Sequence, residues 1–182
     1  MHFFRRSNVL GGALFFTLLA LASAAEAQGR RARSTPEAPS ALSWDVGASF
    51  GSYGGYSFNE LDLGLNYRPL SLFNWRNVAW DRFGSSVVST GGVDSSARFE
   101  ITDFSETLGY RLFVGPGVRI SSSQYTGYFG EAGATAKVGG LFVGGGVKIL
   151  TYSSPGKDPA TNQTLPTQDT VLFIVIGGGG FL

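Results

Sequence analysis

The segment Asp94–Ile101, DSSARFEI, decides how the chain is read. Ala97, Phe99 and Ile101 fall on one side of an extended backbone, and Ser96, Arg98 and Glu100 on the other. A period of two is what a strand between two different environments requires, because successive side chains leave opposite faces. The next segment repeats the pattern. Leu108, Tyr110, Leu112, Val114, Val118 and Ile120 alternate with Gly109, Arg111, Phe113, Gly115, Gly117 and Arg119. Upstream, Leu61, Leu63, Leu65 and Tyr67 alternate with Glu60, Asp62, Gly64 and Asn66. Downstream, Leu141, Val143, Val147 and Ile149 alternate with Phe142, Gly144, Gly146 and Lys148.

Extending this period predicts strands at 43–53, 56–68, 75–88, 91–102, 107–120, 124–137, 140–152 and 169–182. The third has no clean alternation across Trp75–Arg82, which predicts a bulge or a shifted end there. Composition agrees with many strands and turns. Of 182 residues 27 are glycine, 14% are aromatic and only 15% are charged.

The N-terminus reads differently. His2, Arg5 and Arg6 precede an apolar run from Val9 to Ala22, and small residues follow. Residues 1–27 are therefore expected to be a secretory signal peptide, cleaved after Ala27 or after Ala24. A retained anchor is the alternative, but the apolar run is shorter than the ~20 residues of a membrane-spanning helix. Residues 28–41, QGRRARSTPEAPSA, are polar and basic with two prolines, as expected of a disordered periplasmic lead-in. Residues 42–182 are left as one domain.

The predicted strands exceed the usual five or six residues. They suit the ~9–11 tilted residues that cross a bilayer. A sheet in hydrocarbon must close, because an open edge leaves backbone groups unpaired. The expected fold is thus all-β: a closed antiparallel up-and-down transmembrane β-barrel of about eight strands. Short connections near Pro69–Asn74, Asp103–Glu106 and Val138–Gly140 would face the periplasm, and the long polar Ser153–Asp169 segment the outside.

Glu60, Asp62, Arg98, Glu100, Arg111, Arg119, Glu131, Lys137 and Lys148 fall opposite the apolar stripes. In a barrel this narrow they would fill the interior and pair, giving a plugged lumen. Glu60 and Asp62 are expected to pair with Arg98 or Arg111, and inward glycines to make room for arginines. Trp44, Tyr67, Trp75, Trp80, Tyr110, Tyr128 and Tyr152 are candidate membrane-interface aromatics.

The signal peptide, the RLFVGPGVRI and GGLFVGGGVKIL segments and a last strand ending Phe181-Leu182 resemble the small outer-membrane barrels of Gram-negative bacteria, of the opacity type and the outer-membrane protein A or X type. The resemblance covers residues 42–182. It implies that Phe181, penultimate where the family usually has the last residue aromatic, helps the insertion machinery recognise the last strand. It also implies contact with outer-membrane lipids and a location in the cell outer membrane. No C-terminal peptidoglycan-binding domain is expected.

Chemistry is sparse. There is no cysteine, and the single histidine is His2 in the signal. Thiolate sites, histidine metal sites and a serine–histidine triad have no residues to build them after cleavage. The Glu60–Asp62 pair is the remaining acid–base candidate, and ion pairing is the reading preferred for it. GGLFVGGGVK lacks the Lys-Ser/Thr ending of a phosphate loop. From residue 42 there are nine basic and eleven acidic side chains, which argues against nucleic acid. No enzyme, cofactor or metal is expected. The expectation is a monomeric structural or surface protein, contributing to envelope integrity or adhesion through its outer loops. The alternatives are a narrow channel or carrier of a small hydrophobic molecule, and a soluble periplasmic lipocalin-like binding barrel.

Overall fold

The computed structural model describes residues 41–84, 89–104, 109–122, 125–157, 162 and 164–179. The predicted signal peptide, the lead-in up to residue 40 and Phe181 lie outside the described residues. Eight antiparallel strands follow one another: β1 (Leu42–Tyr53), β2 (Tyr56–Leu70), β3 (Phe73–Phe83), β4 (Thr90–Phe104), β5 (Gly109–Ser121), β6 (Gly127–Val138), β7 (Leu141–Tyr152) and β8 (Gln168–Gly179). Each pairs with its sequence neighbour, and β8 pairs with β1, so the sheet closes into a barrel. No helix occurs among the described residues.

Closure is staggered. Partners lead from Ser43 through Asn66, Arg76, Ser96, Gly117, Phe129 and Leu150 to Asp169 on β8. Across the seam, however, Ser43 pairs with Gly179, ten residues further along the same strand. A stagger of this kind accompanies strands tilted by about 35–45° to the barrel axis.

Tight turns occur at both rims, and the one long connection lies at a single rim. Two-residue turns join β2 to β3 and β6 to β7. At the opposite rim β1 turns into β2 through Gly54 and Gly55, both with positive φ (59° and 89°), the geometry that a two-residue hairpin demands and glycine supplies at no steric cost. The connection from β7 to β8 is the long one, and its end folds back. The Tyr53 hydroxyl donates to the Pro166 carbonyl at 2.7 Å, and Leu165 packs on a buried cluster that includes Tyr53, Phe58, Trp80, Tyr125 and Tyr152.

Several details differ from the sequence reading. β3 runs from Phe73 to Phe83, not 75–88, and its alternation is regular. Asn74, Arg76, Val78, Trp80 and Arg82 point in, while Trp75, Ala79, Asp81 and Phe83 point out. Its inward residues mix charge with bulk, which hides the period from a hydrophobicity reading. The irregularity sits instead between Tyr67 and Leu70 of β2. Trp80 and Tyr152 belong to the interior rather than to a membrane interface, whereas Tyr67, Trp75, Tyr110 and Tyr128 are exposed.

The inward glycines do not face arginine side chains: Gly115 and Gly144 lie closest to neighbouring backbone, and others face rings or a carboxylate. A Cβ on Gly117 would strike the Phe129 ring, one on Gly133 the Phe113 ring at 2.5 Å, and one on Gly64 the Asp45 carboxylate. Gly130, on the outside, has nothing within 4 Å. Gly117→Ala is expected to destabilise the barrel by about 1–3 kcal/mol through overpacking. Gly130→Ala should stay within about 0.5 kcal/mol of the parent. Urea unfolding of the two refolded variants, followed by tryptophan fluorescence, distinguishes them.

Candidate functional site

The feature that sets this barrel apart chemically is its interior. Alternation along each strand carries charged side chains inward, where closure removes them from water. Among the described residues seven carboxylates lie inside: Asp45, Glu60, Asp62, Asp94, Glu100, Glu131 and Asp169. Seven cations accompany them: Arg68, Arg76, Arg82, Arg98, Arg111, Arg119 and Lys148. Among the described residues the two sets are formally equal in number. A charge taken out of water costs several kcal/mol unless paired, so neutrality and pairing are conditions for folding.

Near the long-loop rim the charges form a chain. Arg119 donates to both Glu60 oxygens (2.8 and 3.0 Å) and to both Asp94 oxygens (2.7 and 2.8 Å). Lys148 reaches Asp94 at 2.5 Å. Arg82 donates to Glu60 at 2.8 Å and to the Tyr152 hydroxyl at 3.2 Å, and lies 3.7 Å from Asp169. Six strands, β2, β3, β4, β5, β7 and β8, are tied together by this one chain.

Two further groups lie toward the short-turn rim. Arg98 and Glu131 form a two-pronged pair across the lumen, both bonds 2.8 Å. Such fork-to-carboxylate pairs combine charge with fixed geometry. Arg76 holds Asp45 at 2.5 Å, and Asn66 donates to Asp45 at 2.6 Å. Asn74 bridges Asn66 (2.9 Å) to Glu100 (2.7 Å). Glu100 also accepts from Arg68 at 2.9 Å and lies 3.3 Å from Arg111.

Rings separate the groups. The Arg82 guanidinium sits over Phe58 (3.6 Å) and Tyr125 (4.6 Å), Arg119 over Trp80 and Arg98 over Phe113 (both 4.1 Å). Each of these arginines thus meets carboxylate with its edge and a π-face with its plane, two interactions that a guanidinium supports at once.

The nine residues singled out from sequence divide. Glu60, Arg98, Glu100, Arg111, Arg119, Glu131 and Lys148 all take part in interior ion pairs. Their partners differ from expectation, since Glu60 meets Arg82 and Arg119 rather than Arg98 or Arg111. Asp62 is buried but has no cation within 4 Å among the described residues; it accepts from Ser49 at 2.6 Å. Lys137 is not part of the interior. It is exposed beside the Gly139–Gly140 turn, because β6 passes the rim before it reaches that position. Sequence reasoning missed Asp45, Arg68, Arg76, Arg82, Asp94 and Asp169. Asp94 shares its face with Ser96, Arg98 and Glu100, and Asp45 shares one with Ser43 and Ser49, so period two alone would have found both.

Comparison with protein-family models, with curated proteins and with solved structures finds no match for this chain.

Arg98→Ala leaves Glu131 buried without a cation and should cost about 3–5 kcal/mol. Combining Arg98→Met with Glu131→Leu should recover most of that loss, since an apolar pair of similar volume removes both charges together. Lys137→Ala should change stability by less than about 0.5 kcal/mol. Denaturant midpoints of the four proteins test the assignment. A Lys137→Ala loss equal to that of Arg98→Ala would contradict it.

Proposed function

We propose that this chain is a non-enzymatic integral outer-membrane barrel with a structural or surface role, its lumen plugged by ion pairs and rings. One observation carries the reading: the usual partition of a protein is inverted. Large apolar side chains cover the outside of the barrel, among them Leu63, Leu65, Phe99, Ile101, Val114, Ile120, Leu172 and Ile174, all roughly half exposed or more. Most of the charges are inside; Asp81, outward on β3, and Lys137, beside a turn, are exposed. Exposed apolar patches of this extent are rare on soluble monomers. A band of apolar side chains around the circumference is what the hydrocarbon layer selects. Strands of 11–15 residues are long enough to span it when tilted.

The exposed aromatics support the same reading. Tyr67 and Trp75 are cross-strand partners near the short-turn rim, Tyr110 lies near that rim on β5, and Tyr128 lies toward the other on β6. Such rings prefer the headgroup level. A soluble carrier of a hydrophobic molecule needs the opposite arrangement, an apolar cavity and a wettable exterior. An open channel needs a water-filled path, whereas fully buried Arg82, Arg119, Glu60 and Phe58 occupy the loop-side half of the lumen. On this reading the residues 1–27 signal exports the chain, its lipid partners surround the belt, and function lies in the outer connections.

Two measurements test the proposal on the full chain expressed in a Gram-negative host. The protein is expected in the detergent-extracted outer-membrane fraction, and unboiled samples should migrate faster than boiled ones on a denaturing gel. Recovery in the soluble periplasm would overturn it. In planar bilayers no steady conductance is expected; a stable open level would replace the sealed barrel by a channel.

A further inference from the structure

Cations and carboxylates are equal in number inside the barrel but unevenly spread along its axis. Toward the long-loop rim Arg82, Arg119 and Lys148 face Glu60, Asp94 and Asp169. Further down, Arg76 holds Asp45 and Arg98 holds Glu131. At the short-turn mouth Arg68 and Arg111 share one carboxylate, Glu100. The carboxylate that would restore the balance there is Asp62. It is bonded to Ser49 instead, and stands six residues from Arg68 along β2, about 20 Å of extended chain.

Arg111 is the cation left over. Every other interior arginine donates at least two hydrogen bonds to described side chains: Arg68 to Glu100 and Ser43, Arg76 to Asp45, Arg82 to Glu60 and Tyr152, Arg98 to Glu131, and Arg119 to Glu60 and Asp94. Among the described residues Arg111 donates none. Its Nε stands 3.3 Å from Glu100 yet is buried without a hydrogen-bond partner. Glu100 is already engaged, one oxygen by Arg68 and the other by Asn74. The Arg111 side chain is only 9% exposed, so a guanidinium has left water with its donors unmet, which is costly. The Phe142 ring lies 4.6 Å away and supports its plane without satisfying its edge.

A second cation stands beside it. Lys137 pairs with Phe142 across β6 and β7, and lies two residues from Thr135, the cross-strand partner of Arg111. Lys137 is thus a diagonal neighbour of Arg111 on the same face, within reach of a long side chain. It is exposed and in no ion pair among the described residues. Set against Glu100, the three cations of this mouth carry a surplus of two charges.

We propose that the short-turn mouth of the lumen binds a phosphate group of the monoester type, held by the Arg111 guanidinium with Lys137 and Arg68 alongside. Such a group carries about −1.5 to −2 charges near neutral pH, which matches the surplus, whereas a carboxylate meets half of it. Its several acceptor oxygens suit the planar fork of arginine. The wall of strands separates this mouth from whatever surrounds the barrel, so the ligand enters from water along the axis. A lipid phosphate has the same chemistry but lies outside the wall. The site depends on the lumen alone and not on the membrane reading.

The test uses the full chain in an amine-oxide detergent, which carries no phosphate, with inorganic phosphate as the probe. At constant ionic strength the thermal unfolding midpoint is expected to rise saturably with phosphate. Arg111→Met should raise the half-saturating concentration about ten- to a hundredfold, the range for lost hydrogen bonds to a charged group. Lys137→Gln, which leaves the buried pairs intact, should raise it about three- to tenfold. Lys157→Gln removes the same charge at the opposite rim and should leave it unchanged. Phosphatidic acid mixed into the micelle without free phosphate should have no effect; a response to that lipid alone would overturn the aqueous source. No saturable response in the parent, a response that survives both Arg111→Met and Lys137→Gln, or an equal loss in Lys157→Gln would overturn the site. So would a response seen only in Glu106→Gln, a position outside the described residues, since the chain's own carboxylate would then fill the mouth. None of these results bears on where the chain fractionates.

Discussion

Arg119 is the interaction on which the interior depends. It lies on β5, its edge satisfied by Glu60 of β2 and Asp94 of β4, and its plane against Trp80 of β3. None of these groups is tolerable in a dry lumen without the others. A one-residue slip of β5 against β4 would turn Arg119 outward and drive Ile120 into the lumen, leaving Glu60 with Arg82 and Asp94 with Lys148 alone. The charges thus act as a register code. They add little net stability over a well-packed apolar core, but they penalise every wrong pairing heavily. Register is a real problem for a sheet whose outer face is mostly apolar, because Val114 and Val118 look alike to their neighbours and Arg119 and Gly117 do not.

Closure makes the second demand. An eight-strand barrel has an interior just wide enough to be filled by side chains. Long cations, carboxylates and rings cannot all occupy the same level. Glycine solves this locally: Gly117 gives way to Phe129, Gly133 to Phe113, and Gly64 to the Asp45 carboxylate. Once seated, the rings do electrostatic work as well. Phe113 lies 4.1 Å from the Arg98 guanidinium, and Phe58 3.6 Å from that of Arg82. Part of the glycine and aromatic content therefore has one cause, a lumen that must be filled by side chains of unequal bulk.

Much of this was legible in the sequence. Alternation across Asp94–Ile101 and Tyr110–Ile120 gives the strands, their two faces and which face carries charge. The partners were not legible. Arg98 and Glu100 sit two residues apart on one face of β4, yet the first meets Glu131 and the second Arg68 and Arg111. Which residue lies across the lumen depends on the ten-residue stagger of closure, a property of all eight ladders together. β3 was obscured for another reason. Its inward face mixes Arg76 and Arg82 with Val78 and Trp80, so a scale of hydrophobicity sees no period where a scale of direction would. Lys137 shows the converse limit. Parity assigned it correctly to the inward set of β6, but parity carries no depth, and beside the turn an inward position is already in water.

A plugged lumen shifts the question of function to the outside. On the proposed reading the loop-side mouth is closed twice over, by the Tyr53–Tyr125–Tyr152 ring cluster and by Leu165 laid across it, with the Tyr53 hydroxyl fastened to Pro166. Solute transfer through such a mouth would require the β7–β8 connection to lift and Arg82 to leave both Glu60 and its two rings, exposing charge that nothing else pairs. The barrel is better suited to being a rigid mount. Its rigidity is generated inside, by interactions that no partner can reach, which leaves the connections at one rim and the lipid-facing wall free to differ without loss of the fold. Departures from the apolar pattern on that wall then carry information. Ser95 is one such departure, and the chain meets its cost itself, since the Trp75 indole donates to the Ser95 hydroxyl at 2.8 Å.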